Sequence, residues 1–198
     1  MKLVLATQNP KKLKEMNEIL SHLGVEVVSE AELGVRIEVE ETGETFTDNA
    51  RLKATAVMQA TGLPAVADDS GLCVDALNGG PGVYSARFGG EGLDDKGRYT
   101  LLLEMLRGQT DRAAHFHTSI VCAFPNGDEL VCEGKCPGTI AFAPMGEGGF
   151  GYDPVFFVPE LRKTFGQLTA EEKASVSHRG KALRAFAAAL DDYLKGNE

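Results

Sequence analysis

The chain has 198 residues, 43% of them hydrophobic and 25% charged, with a net charge of −9. That length fits one domain, or one domain of two lobes, around a sizeable core. The acidic balance excludes a nucleic-acid-coating surface, which needs clustered Lys and Arg to displace counterions. Apolar runs such as 155–158 are too short to cross a bilayer, and the opening MKLVLATQNP has no apolar stretch of secretory length, so a cytoplasmic protein is expected. The excess of carboxylates leaves some to hold a hard cation such as Mg²⁺. Cys73, Cys122, Cys132 and Cys136 form no C-x-x-C pair and read as reduced, mostly buried thiols.

Residues 2–6 (KLVLA) read as a strand. Asn9 as N-cap and Pro10 at the first helical position open a helix, along which Leu13, Met16, Ile19, Leu20 and Leu23 recur at helical spacing up to Gly24. A strand at 25–28 completes a βαβ opening, which predicts a parallel pair. A helix is expected over 46–61, ended by Gly62 and Pro64. Residues 64–74 (PAVADDSGLCV) begin as a buried strand that the polar DDSG interrupts. A Gly/Pro-rich loop follows, then a helix over 95–107. Two β runs, 113–124 and 129–135, flank Pro125-Asn126-Gly127-Asp128, a hairpin signal. The segment APMGEGGFGYDP leads into a strand at 155–158, and a long helix from about Ser177 to Lys195 closes the chain.

Five stretches carry candidate chemistry. Lys11, Lys12 and Lys14 crowd a helix start, where partial positive charge ordinarily favours acids. A tight turn bearing Thr7 and Asn9 before such a start suits phosphate; the plainer alternative is an Asn9 cap with solvated lysines. Glu40-Glu41-Thr42-Gly43 is either an exposed acidic loop or the source of one inward carboxylate for a divalent cation. Asp68-Asp69-Ser70-Gly71, at the end of an apolar strand, would be costly to desolvate without a cation or donors nearby. One aspartate can hold Mg²⁺ while one deprotonates a water, unless they simply cap a turn. Residues 146–151 (GEGGFG) satisfy G-x-G-x-x-G but lead into a strand rather than a helix, which argues against a dinucleotide fold. They place Phe150 or Tyr152 either against a flat base or in the core. Lys173 and Ser177-His178-Arg179-Gly180 bring cationic and donor groups to the last helix, or lie on its surface with Ser177 as a cap. His115 and His117 share a strand face without an evident third ligand and read as structural.

Taken in order, Thr7-x-Asn9-x-x-Lys12, Glu40-Glu41-Thr42-Gly43, Ala67-Asp68-Asp69-Ser70-Gly71, Pro81-Gly82-Val83-Tyr84-Ser85-Ala86-Arg87, Gly148-Gly149-Phe150-Gly151-Tyr152-Asp153-Pro154 and Ser177-His178-Arg179-Gly180 form a pattern. It resembles the non-canonical purine nucleoside triphosphate pyrophosphatases, the inosine triphosphatase or Ham1-like family, over about residues 3–190. The resemblance implies an α/β fold, an elongated mixed β-sheet flanked by helices, with two lobes about a central substrate cleft, usually as a homodimer. It implies Mg²⁺-dependent hydrolysis of dITP, ITP or XTP to the monophosphate and pyrophosphate. Carried over, Thr7, Gln8, Asn9, Pro10, Lys11 and Lys12 would hold the triphosphate, and Ser70 would touch the substrate. Glu40 (or Glu41) and Asp69 would hold the metal, with Asp69 also activating the attacking water. Phe150 would stack on the purine, flanked by Gly151, Tyr152 and Asp153, and Lys173, His178 and Arg179 would complete the site. Two other readings stay open: a Maf-like pyrophosphatase for pyrimidine or modified nucleotides, and a non-catalytic nucleotide-binding module.

Overall fold

The computed structural model describes residues 1–7 and 9–196. The main elements are β1 (Lys2–Leu5), α1 (Pro10–Leu20), β2 (Glu26–Ser29), α2 (Phe46–Thr61), β3 (Ala65–Val74), α3 (Asp95–Met105), β4 (Ala113–Ala123), β5 (Glu129–Ile140), β6 (Phe156–Val158), β7 (Lys163–Thr164), α4 (Ala170–Val176) and α5 (His178–Gly196). The strands form one mixed sheet in the order β2-β1-β3-β4-β5-β6-β7. β1 runs parallel to β2 and β3, as the βαβ reading requires, whereas β5, β6 and β7 pair antiparallel. The chain divides into two compact units whose boundary falls inside β3, β4, β5 and α5. Unit 1 comprises Met1–Asp69, Thr118–Gly134 and the chain from Lys181; unit 2 comprises Ser70–His117 and Lys135–Gly180.

Unit 1 is a three-layer α/β arrangement that follows from the alternation of side chains along its strands. Leu3, Leu5, Val27 and Val66 join Met16 and Leu20 of α1 and Ala182, Phe186 and Leu190 of α5 in one core. The intervening residues Val4, Val28 and Ala65 pack against Val57 of α2, and Ala67 against Ala50 and Ala54. Both faces of the sheet are thus covered, which is why β1 and β3 read as near-continuous apolar runs. Unit 2 has its own core, in which Phe116, Phe156 and Phe165 meet with ring centroids 4.7–5.6 Å apart. Cys73, Cys122 and Cys136 are buried, none of the four cysteines is in a disulfide, and burial pushes Cys73, Cys122 and Cys132 above the ordinary thiol range.

Three local expectations are corrected. DDSG does not interrupt its strand: β3 runs unbroken from Ala65 to Val74. β5 does not stop at Lys135 but continues through Pro137 and Gly138, because Thr139 and Ile140 still pair with Phe157 and Phe156 and the Ile140 N–H still donates to the Arg112 carbonyl. The helix α4 appears ahead of α5; its Thr169-x-x-Glu172 capping box is a signal that marks the start of such a helix. Ser177 then accepts the Gly180 N–H at 3.0 Å and opens α5 as an N-cap should.

Gly138 shows why the strand tolerates that composition. A Cβ there would lie 2.5 Å from the Phe157 carbonyl oxygen and 2.6 Å from the Phe156 ring. Gly138→Ala is expected to destabilise the protein by about 1–3 kcal/mol through overpacking, read as a lowered Tm; an unchanged Tm would contradict this close packing.

Candidate active site

The alternation that builds the unit 1 core continues past the apolar part of β3 into its acids. Val66 faces the α1 and α5 layer, and Ala65 and Ala67 face α2. Asp68 and Asp69, although adjacent, therefore leave the strand on opposite faces. Asp68 meets α1: its Oδ2 accepts from Lys12 Nζ at 2.8 Å, and its side chain is only 5% exposed. Asp69 meets α2: its Oδ2 accepts from Asn49 Nδ2 at 3.2 Å, and its Oδ1 lies 3.9 Å from Lys53 Nζ. Lys53 also donates to Glu41 Oε1 at 2.8 Å and to the Asp68 carbonyl at 2.9 Å. The acids are partnered rather than bare, which resolves the desolvation problem their sequence posed.

The acidic loop is seated by the same helix. Buried Asn49 accepts the Gly43 N–H at 2.8 Å through Oδ1 while donating to Asp69 through Nδ2. A Cβ at Gly43 would come within 2.7 Å of that Oδ1. Glycine lets the loop approach closely enough to bring Glu41 to Lys53. Glu40 is exposed, whereas Glu41 is the carboxylate joined to Asp69 through a shared lysine.

Strand order explains the location. The connection from β1 to β2 runs through α1 on one face, and that from β2 to β3 runs through α2 on the other, with β1 between β2 and β3. This is a topological switch, and ligands bind outside the carboxyl ends of the strands at such a point. A cavity of about 340 Å³ lies there, lined by residues that include Thr7, Lys12, Glu30, Glu38, Lys53 and Asp68. Of the opening lysines only Lys12 turns into it; Lys11 is exposed, and Lys14 is 78% exposed beside Glu18. Asn9 caps α1, its Oδ1 accepting the Lys11 N–H at 2.9 Å, and the Asn9 N–H donates to Thr7 Oγ1 at 3.2 Å. Gln8 lies outside the described residues, and Pro10 is described only as the start of α1.

Unit 2 holds a second cluster. Phe150 is 76% exposed, and Lys173 Nζ lies 4.7 Å from the centroid of its ring, a cation–π distance. Lys173 is ion-paired with buried Asp153, which also accepts the Phe150 N–H at 2.9 Å. Burial holds the Asp153 carboxyl above the ordinary carboxylate range in spite of Lys173 and that amide. Tyr152 is 5% exposed and donates through its hydroxyl to the Ser85 carbonyl at 2.8 Å; burial pushes its phenol up to about 12. The side chains of Tyr152 and Asp153 are therefore turned inward: one fills the core, and the other fixes Phe150 and Lys173. The Gly151 N–H donates to Asp95 Oδ2 at 2.8 Å. His178 stacks on Phe116 at 4.7 Å with the ring planes nearly parallel, and Arg179 beside it is half-buried, as is Ser70 on β3.

Asn49, Lys53 and Asp95 are the residues that sequence reasoning missed. Asn49 and Lys53 are four apart and share a face of α2 that otherwise carries Ala50, Ala54 and Val57, a polar intrusion into a buried stripe that could have flagged them. Among the described residues no three His, Cys, Asp or Glu gather as a ready-made metal cluster, and no helix is long and apolar enough to cross a membrane.

An α/β fold with lysines and carboxylates at its switch point has the make-up of an enzyme that handles phosphate. The Ham1 family model matches residues 3–189. The dITP/XTP pyrophosphatase of Exiguobacterium sp. is 50% identical over 196 residues, 99% of this chain and 100% of that one. That of Desulforamulus reducens is 54% identical over 186 residues, 93% of this chain and 92% of that one. The structure of a HAM1 protein from Coxiella burnetii matches with a TM-score of 0.93 at 43% identity, covering 97% and 99% of the two chains. The chain belongs to the Ham1 family.

Asn49→Leu would strand the Gly43 N–H and remove a donor from Asp69. It is expected to cost about 2–3 kcal/mol of stability, measured by denaturant unfolding; a loss under about 0.5 kcal/mol would contradict the seating of the loop by Asn49.

Proposed function

We propose that the chain hydrolyses non-canonical purine nucleoside triphosphates (dITP, ITP and XTP) to the monophosphate and pyrophosphate. The relatives named for that activity match nearly its whole length. One observation carries the reading to the residues: Lys53 joins Glu41 and Asp69 beside the cavity that Lys12 and Asp68 also line.

A triphosphate brings roughly four negative charges, and its hydrolysis needs further charge stabilisation on the leaving pyrophosphate. Lys12, Lys53 and the first-turn amides of α1 supply positive potential for it. This accounts for a helix start that favours lysine over acid. Asp69 takes a proton from the attacking water as the water oxygen bonds to the α-phosphorus. The bond from that phosphorus to the bridging oxygen breaks, and its electron pair leaves with pyrophosphate. Asn49 and Lys53 hold Asp69 aimed.

Glu41 and Asp69 fit Mg²⁺: both are hard oxygen donors, and a positive charge already sits against them in Lys53. This ion is commonly held by one or two carboxylates plus substrate phosphates. When bound it supplies neutralisation of phosphate charge. In unit 2, exposed Phe150 offers a stacking face for the base, and Lys173, His178 and Arg179 are donors for a 6-carbonyl. Adenine, with an amino donor at that position, leaves such donors mispaired. The same reading carries a homodimer and a cytoplasmic setting.

Pyrophosphate release measured with ITP, XTP, GTP, ATP, dTTP and UTP tests this directly. ITP and XTP are expected to be preferred and EDTA to abolish turnover. Preference for dTTP or UTP would move the protein to the Maf-like reading, and binding without turnover to a nucleotide-binding module. Asp69→Asn is expected to lower kcat at least about a hundredfold while nucleotide binding persists; near-normal turnover would remove Asp69 from its role.

A further inference from the structure

Phe150 stands between Gly149 at φ +80° and Gly151 at φ +59°, so its ring is flanked by the two most permissive backbone positions a chain can offer. An exposed aromatic on such a segment would lose conformational freedom each time it met a flat ligand, which weakens binding. The structure removes that freedom with two consecutive amides. The Phe150 N–H donates to Asp153 Oδ2 at 2.9 Å and the Gly151 N–H donates to Asp95 Oδ2 at 2.8 Å. Asp153 belongs to the same turn, but Asp95 comes from the first turn of α3, 56 residues away.

Asp95 has little else to do. The cap of α3 is Asp94, whose side chain accepts the Gly97 N–H at 2.7 Å. The Asp95 side chain is 56% exposed, and it also lies 3.7 Å from Arg98. Its charge also raises the Asp153 carboxyl, so its presence near a second carboxylate carries an electrostatic cost.

Building on the proposed function, we propose that Asp95 is a positioning residue for base recognition: by fixing the Gly151 amide it preorganises Phe150 as a stacking platform. Its carboxylate touches neither the reacting phosphates nor the attacking water. Its loss therefore weakens substrate binding rather than the chemical step.

Steady-state kinetics with ITP on Asp95→Ala, Asp95→Asn, Asp94→Ala and Phe150→Ala test this. Asp95→Ala is expected to raise KM about tenfold, the worth of one hydrogen bond to a charged group, with kcat within about twofold. Asp95→Asn keeps an acceptor for the Gly151 amide and is expected to restore most of the KM. Asp94→Ala, which removes only the helix cap, lowers Tm without moving KM. In Asp95→Ala the Gly151 amide also loses its protection from hydrogen exchange. Combining Asp95→Ala with Phe150→Ala is expected to cost little beyond Phe150→Ala alone, because the two act through one ring. An unchanged KM in Asp95→Ala beside a raised one in Phe150→Ala would overturn the role of Asp95 alone. An unchanged KM in Phe150→Ala would overturn the stacking reading on which it rests.

Discussion

Side chains on an extended strand alternate between two faces, and β3 applies that rule to two adjacent aspartates at the end of a buried run. The consequence is a division of labour that neither residue type nor spacing would suggest. Asp68 is delivered to α1 and pairs with Lys12, while Asp69 is delivered to α2 and meets Asn49 and Lys53. A single slip of register would exchange the two partners and place each acid among the wrong neighbours. The apolar part of β3 prevents that slip, because Val66 and the flanking Ala65 and Ala67 are each committed to a different core. Packing thus sets the position of the acids.

The second cluster solves a different problem by a related means. Its loop needs glycines to make sharp turns, and glycines by themselves leave a loop loose. Buried Asp153 and half-exposed Asp95 replace the missing rigidity with bonds to successive amides. Gly149 is then required for more than its dihedral angle, since a Cβ there would overlap the Asp153 carboxylate. Beneath it, Tyr152 anchors the turn to the Ser85 carbonyl. What remains outside is one exposed ring with a lysine over its face.

Much of this was legible beforehand. The Asn9-Pro10 start, the parallel β1–β2 pair and the α2 stop at Gly62 follow from local signals, and the structure shows each of them. The lysine-rich helix start and the acid pair late on a buried strand each stood out by composition, but the 2.8 Å Lys12–Asp68 pair that joins them did not. The rest depended on long-range facts. Whether Glu40 or Glu41 turns inward depends on a Gly43–Asn49 contact that spacing does not reveal. Pro137 and Gly138 look like a strand end because the partner that keeps them in the sheet, β6, lies further along the chain. That Tyr152 and Asp153 support Phe150 from beneath was not legible either, because an aromatic and an acid in a glycine loop have the same composition whether their side chains face outward or inward.

The proposed function rests on Lys12, now paired with Asp68, meeting the substrate's phosphates. A crystal structure of the Asp69→Asn variant with ITP and Mg²⁺ tests it most directly. The account predicts phosphate oxygens within hydrogen-bonding distance of Lys12 Nζ and the 2.8 Å Lys12–Asp68 pair opened or shared. Phosphates bound elsewhere, with that pair intact, would contradict it.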